Sequence, residues 1–552
     1  MALQPPLPQP VRSRLMTVPA IGATLFLLLV AAVLFDRAMT QSLSHDEHQF
    51  IAAGWWLAKA GLLPYRDFPY HHMPYQIPLN ALAVTLSPYV LLSGRLVSWA
   101  AGCAASCVLF VAVWREFRTR KASLALVAAG MAVAAFVGQP ITASTSGQAW
   151  NHDWASLLGL MAVVLQVRMI DGRPRPSTGF LVGLLAGLST GVRLSYAVLC
   201  PLVLASAAAI PASRRGRWRN AAAVLAGITL AGIPAAILLA LDPKPFAYGN
   251  IVYQELNVVY RDVLRYWAEN GLAAKLGYFT ENVLSEPGNV VLMVGTLALG
   301  GLGFLGRLRD RASIHAVLLV FMATILLFMT SFAPTPARRH YFFACVPFAI
   351  LACAMAASRV RRSAWSRVAL IAAAVVGGLS ILSGTWDAHI MRRLQSPATW
   401  VPVEVHQFGA LLAHRVCEGP VLTLAPILAM EGGLSTYEAF ATGPFTWRVA
   451  HIIPQASRQR VGWVGRDDLA AYLAASPPTA VLTGLEIENE GFKPGERGDL
   501  EQPLDSYAAR LDFHRTTIRV PFLASELNLW TSPMLSCGTG SWLPGATASV
   551  AP

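Results

Sequence analysis

Apolar runs near twenty residues long recur along the chain from Leu15 to about Thr385, separated by short arginine-rich segments. Each run is long enough to cross the roughly 30 Å hydrocarbon core of a bilayer. The pattern predicts spans near 15–35, 94–114, 122–140, 153–169, 178–193, 194–211, 221–241, 288–306, 313–332, 341–357 and 367–385. That is about eleven crossings, with room for twelve or thirteen where the segment 74–92 and the short pair 178–193/194–211 leave the count open. After Trp386 the period changes. Short runs with β character (Pro420–Leu424, Ala480–Leu485, Thr516–Val520, Leu527–Trp530) alternate with helical patterns at Val403–Val416 and Asp467–Ala475, which predicts an α/β domain. The expected architecture is an α-helical polytopic membrane region, residues 1–385, followed by an α/β domain, residues 386–552.

Composition sharpens this division. Apolar residues make up 55% of the 552 and charged residues 13%, against about 25% in a soluble domain. Residues 386–552 hold 12 Lys/Arg and 16 Asp/Glu, leaving 31 and 14 in the remainder, so the net charge of +13 belongs to the membrane region. Basic loops that face the cytoplasm account for it, and nucleic-acid binding is not expected. The basic clusters are Arg115–Lys121, Arg168–Arg175, Arg214–Arg219, Arg307–Arg311 and Arg359–Arg367. Placing them all inside gives one consistent path: the N-terminus is cytoplasmic, 74–92 packs at the outer surface, and the C-terminal domain is extracytoplasmic. The N-terminal run is longer than a signal-peptide core and is expected to remain as an anchor in the inner (plasma) membrane. Cys417 and Cys537 are the two cysteines of the C-terminal domain, and an oxidising compartment would let them pair.

Polar chemistry gathers in the loops assigned to the outside. The first, 36–93, carries Asp46 and Glu47 just beyond the first span, then Arg66, Asp67, His71 and His72. Two acids alone read as a helix start; here basic and imidazole groups return to the same surface. Asp153 opens a later span, where an N-cap and a site role are compatible. Arg193 lies between two apolar segments on the predicted outer side. It fits either an arginine that snorkels to the interface or a phosphate ligand, since a guanidinium matches phosphate bidentately. Arg338, Arg339, His340 and Tyr341 repeat that anomaly at the start of another span. The loop 242–287, with Tyr253, Asn257, Tyr260 and Arg261, reads as an interfacial aromatic belt in preference to a sugar-stacking surface.

In their order, these motifs resemble the GT-C superfamily of membrane glycosyltransferases, in particular the group similar to protein O-mannosyltransferases and aminoarabinose transferases. Four strings carry the resemblance: Asp46-Glu47 followed by Pro64-Tyr65-Arg66-Asp67-Phe68 and Pro74; Asn151-His152-Asp153-Trp154; the glycine-containing 187–196 with Arg193; and Arg339-His340-Tyr341 followed by Pro347. It covers about residues 15–385. His71-His72-Met73-Pro74 stands where aminoarabinose transferases carry a Glu-Lys-Pro-Pro-like string, and Arg193 stands at a mostly lysine position. The resemblance implies inverting transfer of a sugar from a polyprenyl-phosphate donor to a hydroxyl acceptor (glycan, lipid or protein) outside the cytoplasm. Asp46 would be the base. Glu47, Asp153, His71 and His72 would orient acceptor or sugar. Arg193, Arg338, Arg339, His340, Tyr341 and Arg66 would bind the donor phosphate. Some relatives use a divalent cation, which Asp46, Asp153 and the nearby histidines could hold, although nothing in the sequence demands one. The alternative from another functional class is a transporter or flippase of lipid-linked sugars, which would place polar residues at mid-membrane and carry repeats; neither is visible. A bare membrane anchor for the C-terminal domain leaves the clustered acids and arginines without a role.

Overall fold

The computed structural model describes residues 17–119, 121–172, 174–210, 213–263, 270–304, 308–361, 364–386, 393–486, 499–520, 522–523 and 526–533. Its helices, in chain order, are α1 (Thr17–Thr40), α2 (His45–Ala60), α3 (Ile77–Leu86), α4 (Val90–Phe117), α5 (Ala122–Gly138), α6 (Pro140–Thr145), α7 (His152–Asp171), α8 (Pro176–Val192), α9 (Leu199–Ala209) and α10 (Arg214–Leu241). There follow α11 (Pro243–Ala247), α12 (Tyr253–Val263), α13 (Gly271–Tyr278), α14 (Pro287–Phe304), α15 (Arg311–Thr330), α16 (Val346–Arg359) and α17 (Ala364–Leu382). Each expected span coincides with one of them. Among the described residues seven helices are long and apolar enough to cross a membrane. Three more are apolar but shorter: Ala122–Gly138, Pro176–Val192 and Leu194–Ala209. The stretch 287–301 passes together with 271–283, from which it bends by 112°. The protein is a multi-pass membrane protein. Helix α3 has ten residues, too short to cross, and packs against α2 and α4.

Glycines set how closely the helices approach. Gly179, Gly183 and Gly187 form one stripe on α8 facing α10. A Cβ on Gly183 would meet the Val224 carbonyl oxygen at 1.9 Å, and one on Gly227 of α10 would meet that of Phe180 at 2.1 Å, so the backbones touch. One turn further, Gly191 leaves room for the Tyr75 ring. The Tyr75 hydroxyl inserts into α10 beside Pro234, donating to the Ala231 carbonyl and accepting from Ala235 N at 3.2 Å. The side chain thus repairs a ladder next to a proline, which cannot donate.

The charged groups of the bundle divide between its two ends. At one end Arg359, closing α16, donates to Glu116 of α4 (2.7 and 2.9 Å) and Asp171 of α7 (2.5 and 2.7 Å). Arg309 N donates to the Arg359 carbonyl there. The described residues at the ends of α4, α7 and α16, and Arg309, therefore meet at that end, where the 115–121, 168–175, 307–311 and 359–367 clusters begin or end. The beginnings of α4, α7 and α16 lie at the other end, with α2 and the C-terminal region that starts near residue 393.

The C-terminal region, from about residue 393, contains α18 (Val401–Val416), α19 (Pro426–Met430), α20 (Pro444–Ala450), α21 (Gln455–Arg460), α22 (Leu469–Ala474) and α23 (Gln502–Arg510) around a four-stranded sheet. The strands are β1 (Val421–Thr423), β2 (Ala480–Thr483), β3 (His514–Arg519) and β4 (Glu526–Thr531), in the order β1-β2-β4-β3. β1 and β2 are parallel, with Val421 opposite Ala480, and the other pairs are antiparallel. The expected α/β character is present, and the four strand runs read from the sequence are these four strands. One apolar cluster runs from Ile51, Val84 and Leu91 into Val405, Phe408, Leu482 and Leu529, so the sheet's core continues into α2–α4. A buried carboxylate fastens the two parts: Glu431 accepts from Leu91 N, at the start of α4, at 2.6 Å and bonds His406 Nδ1 at 2.7 Å. Negative charge at a helix N-terminus is favourable. Cys417 is disulfide-bonded, and Cys537, its expected partner, lies outside the described residues. Cys103, Cys107, Cys200, Cys345 and Cys353 are free.

Candidate functional site

The first loop is shaped by Glu47. Ser44 caps α2, its hydroxyl accepting from Asp46 N at 3.3 Å, while the Glu47 carboxylate returns to Ser44 N at 3.0 Å. Glu47 also makes a bidentate pair with Arg95 of α4, 2.8 Å at each oxygen, with both side chains 0% exposed. Arg95 spends its other three N–H groups on the carbonyls of Ala38 and Gln41 (2.8 Å each) and Ser42 (3.0 Å). Ala149 N adds a bond to Glu47 at 2.9 Å. All five guanidinium donors are used, and they tie the end of α1, the start of α2 and the loop 147–149 to α4. Adjacent residues on α2 point elsewhere, and Asp46 turns into a cavity.

The cavity has a volume of about 680 Å³. Asp46, His71, His72, Arg193, Arg338, His340 and Tyr341 all line it, as do Asn151 and His152. Arg193 follows the last residue of α8, and its Nη1 donates to Asn151 Oδ1 at 2.8 Å, while Asn151 donates to the Val192 carbonyl at 3.0 Å. The guanidinium lies over the Tyr341 ring, 5.5 Å from its centre. His340 packs against Trp150 and His152, with ring centres 4.8 and 5.3 Å away. Burial raises the Asp46 carboxyl, but His45, His340, His72 and Arg448 together outweigh it and hold the group below its ordinary value. Burial, and then Arg193, push His72 down to about 3, which leaves it neutral.

Four residues expected at the site stand away from the cavity lining. Glu47 is the buried partner of Arg95, so it shapes the loop and does not reach a substrate. Asp153 accepts from Ser146 Oγ at 2.8 Å and Gly147 N at 3.0 Å and fixes the turn before α7. Arg66 pairs with its neighbour Asp67 at 2.7 Å on the surface. Arg339 reaches Glu286 at 3.3 Å. Among the described residues no group of three or more His, Cys, Asp or Glu could hold a metal ion.

Tyr253, Asn257 and Arg261, expected in an interfacial aromatic belt, instead line the cavity. His71 stacks on Tyr253, 3.9 Å between centres, and bonds Thr446 Oγ1 at 2.8 Å. The C-terminal half contributes Phe445 and Arg448 of α20, together with Glu486. Arg448 Nη2 donates to Tyr253 Oη at 2.7 Å.

By sequence alone no family model and no curated protein matches the chain. Solved structures do. ArnT from Cupriavidus metallidurans bound to undecaprenyl phosphate aligns over 93% of this chain and 99% of its own, with a TM-score of 0.57 and 13% identity. The chain has the GT-C fold. The apo state of the same ArnT gives a TM-score of 0.53 at 12% identity, covering 93% of this chain and 98% of that one. The oligosaccharyltransferase AglB from Archaeoglobus fulgidus, in complex with an inhibitory peptide and a dolichol-phosphate, gives 0.48 at 12% identity, covering 93% and 74%.

Proposed function

We propose that the protein is an inverting glycosyltransferase that moves a sugar from a polyprenyl-phosphate donor to an acceptor hydroxyl. The observation that carries this reading is that Asp46 and Arg193, a carboxyl group and a guanidinium, line one cavity at one end of a membrane bundle. The acceptor oxygen attacks the anomeric carbon from the face opposite the phosphate. The bond from that carbon to the phosphate oxygen breaks, and Asp46 takes the hydroxyl proton. A carboxylate of low pKa suffices, because the hydroxyl becomes acidic as its oxygen bonds to carbon. The leaving phosphate gains charge beside Arg193, with Arg338 lining the same cavity. ArnT, of the same fold, has been seen with undecaprenyl phosphate, which suits this donor class.

The reaction is assigned to the outer face, and residues 386–552 to an extracytoplasmic domain. The support is that the helix ends bordering four of the five basic clusters meet at the opposite end of the bundle, the end expected in the cytoplasm. Polar groups gather at one end and not at mid-membrane, which favours an enzyme over a transporter.

Asp46→Asn keeps the shape and removes the base. In proteoliposomes it is expected to lower transfer by roughly 10²–10⁴-fold while undecaprenyl phosphate still binds. Near-normal transfer by Asp46→Asn would overturn the assignment. Comparing cell-envelope glycans with and without the gene identifies the sugar and acceptor.

A further inference from the structure

Among the described residues, Arg193, Arg261, Arg338 and Arg448 line the cavity together with Asp46 and Glu486, and a sugar phosphodiester brings a single negative charge to it. The basic groups also come from different walls. Arg193 and Arg338 sit at the ends of bundle helices, while Arg448 is brought in by the C-terminal half on α20.

Arg448 is held as a binding group would be. It is 7% exposed. Tyr253 Oη accepts from its Nη2 at 2.7 Å, and the guanidinium lies over Phe445, 4.7 Å from the ring centre, with Tyr260 at 5.8 Å. Tyr253 is itself fixed by the stacked His71 ring, whose Nε2 is bonded to Thr446 on the same helix as Arg448. Aromatic faces and one hydroxyl therefore orient a desolvated guanidinium at the cavity wall, and in that setting a charge-assisted bond to an oxyanion is strong.

We infer that the acceptor itself bears an anionic group, a phosphate or a carboxylate, and that Arg448 binds it while the acceptor hydroxyl faces Asp46. This rests on the transferase reading above and adds the class of acceptor. Arg448 is a specificity residue on the acceptor side, and Tyr253 and His71 position it.

The test uses the full-length protein in nanodiscs and four probes: glucose, glucose 6-phosphate, glucuronate and undecaprenyl phosphate. At least one anionic sugar should bind roughly tenfold or more tighter than glucose, and Arg448→Gln should erase that advantage. Which anionic sugar gains distinguishes phosphate from carboxylate. Arg448→Gln should leave undecaprenyl phosphate affinity within about twofold of wild type, a change worth well under 1 kcal/mol, which also reports that the variant is folded. Tyr253→Phe keeps the stacked ring and loses the hydroxyl, so it should shrink the anionic advantage without abolishing it. Equal binding of glucose and both anionic sugars by the wild type overturns the inference. So does a variant that loses undecaprenyl phosphate and keeps the anionic advantage, because Arg448 would then serve the donor. Failure of wild-type protein to bind undecaprenyl phosphate counts against the donor reading alone, and the sugar probes still decide the acceptor.

Discussion

Replacing Glu47 by Gln should damage folding more than chemistry. The substitution conserves shape and removes the counter-charge of Arg95, a side chain with 0% exposure whose five donors bind Glu47 and three backbone carbonyls. Breaking one partner of a buried pair costs about 3–5 kcal/mol, because a desolvated charge is left behind. The three carbonyls still accept from Arg95, so the lower part of that range applies. About 3 kcal/mol is a factor of roughly 100–200 in the ratio of folded to unfolded protein. The assay is the fraction of monodisperse protein after heating in detergent, together with transfer rate per folded molecule. Glu47→Gln should lose most of its monodisperse fraction at temperatures where Asp46→Asn survives, while the residual folded protein keeps part of its activity. A double variant, Glu47→Leu with Arg95→Met, removes both charges and should recover much of the stability. If Glu47→Gln is as stable as wild type yet inactive, Glu47 acts on substrate and not on the loop. If the double variant is no better than the single, the electrostatic account fails.

Two further outcomes follow from features away from Asp46. Glu501 in the C-terminal half is buried, accepts from Gly484 N at 2.6 Å and Glu486 N at 3.1 Å, and burial pushes its carboxyl up to about 8. A raised carboxyl stabilises fully below its unfolded value near 4.5 and loses that contribution as pH rises through about 8; melting should therefore fall between pH 5 and 9, and Glu501→Gln should flatten the trend, whereas identical slopes would refute it. Gly183→Val should disrupt α8–α10 packing by about 1–3 kcal/mol or more, since its Cβ would meet the Val224 carbonyl oxygen at 1.9 Å; wild-type thermal stability would show that the helices separate freely.

The spans were legible because apolar length is written into a membrane helix directly. β1 and β2 were legible because apolar runs beside Gly419-Pro420 and Gly484 have a short-range signature. Asp46, Arg193 and His340 were legible for a related reason: charge at the edge of an apolar run is unusual enough to notice. What sequence order could not do was separate Asp46 from Glu47. Adjacent carboxylates look alike until Arg95, 48 residues away, claims one of them. Asp153 turned inward through Ser146 and Gly147 in the same way. Arg448 left no local trace, because α20 is buried on every side and shows no periodic face, and its contact with Tyr253 spans 195 residues. Tyr253 itself carries a pattern that a membrane-surface aromatic would also carry.

The bond from Leu91 N to Glu431 joins positions 340 residues apart. At about 5–20 residues per second, a ribosome needs roughly 20–70 seconds to travel between them. Throughout that interval α4 is in place with its first turn uncapped, while the residues that will close over it do not yet exist. The chain therefore cannot mature from front to back. Its earliest membrane helices wait for the last-made part to arrive, and a truncated message would yield an inserted bundle with an open, unfinished cavity.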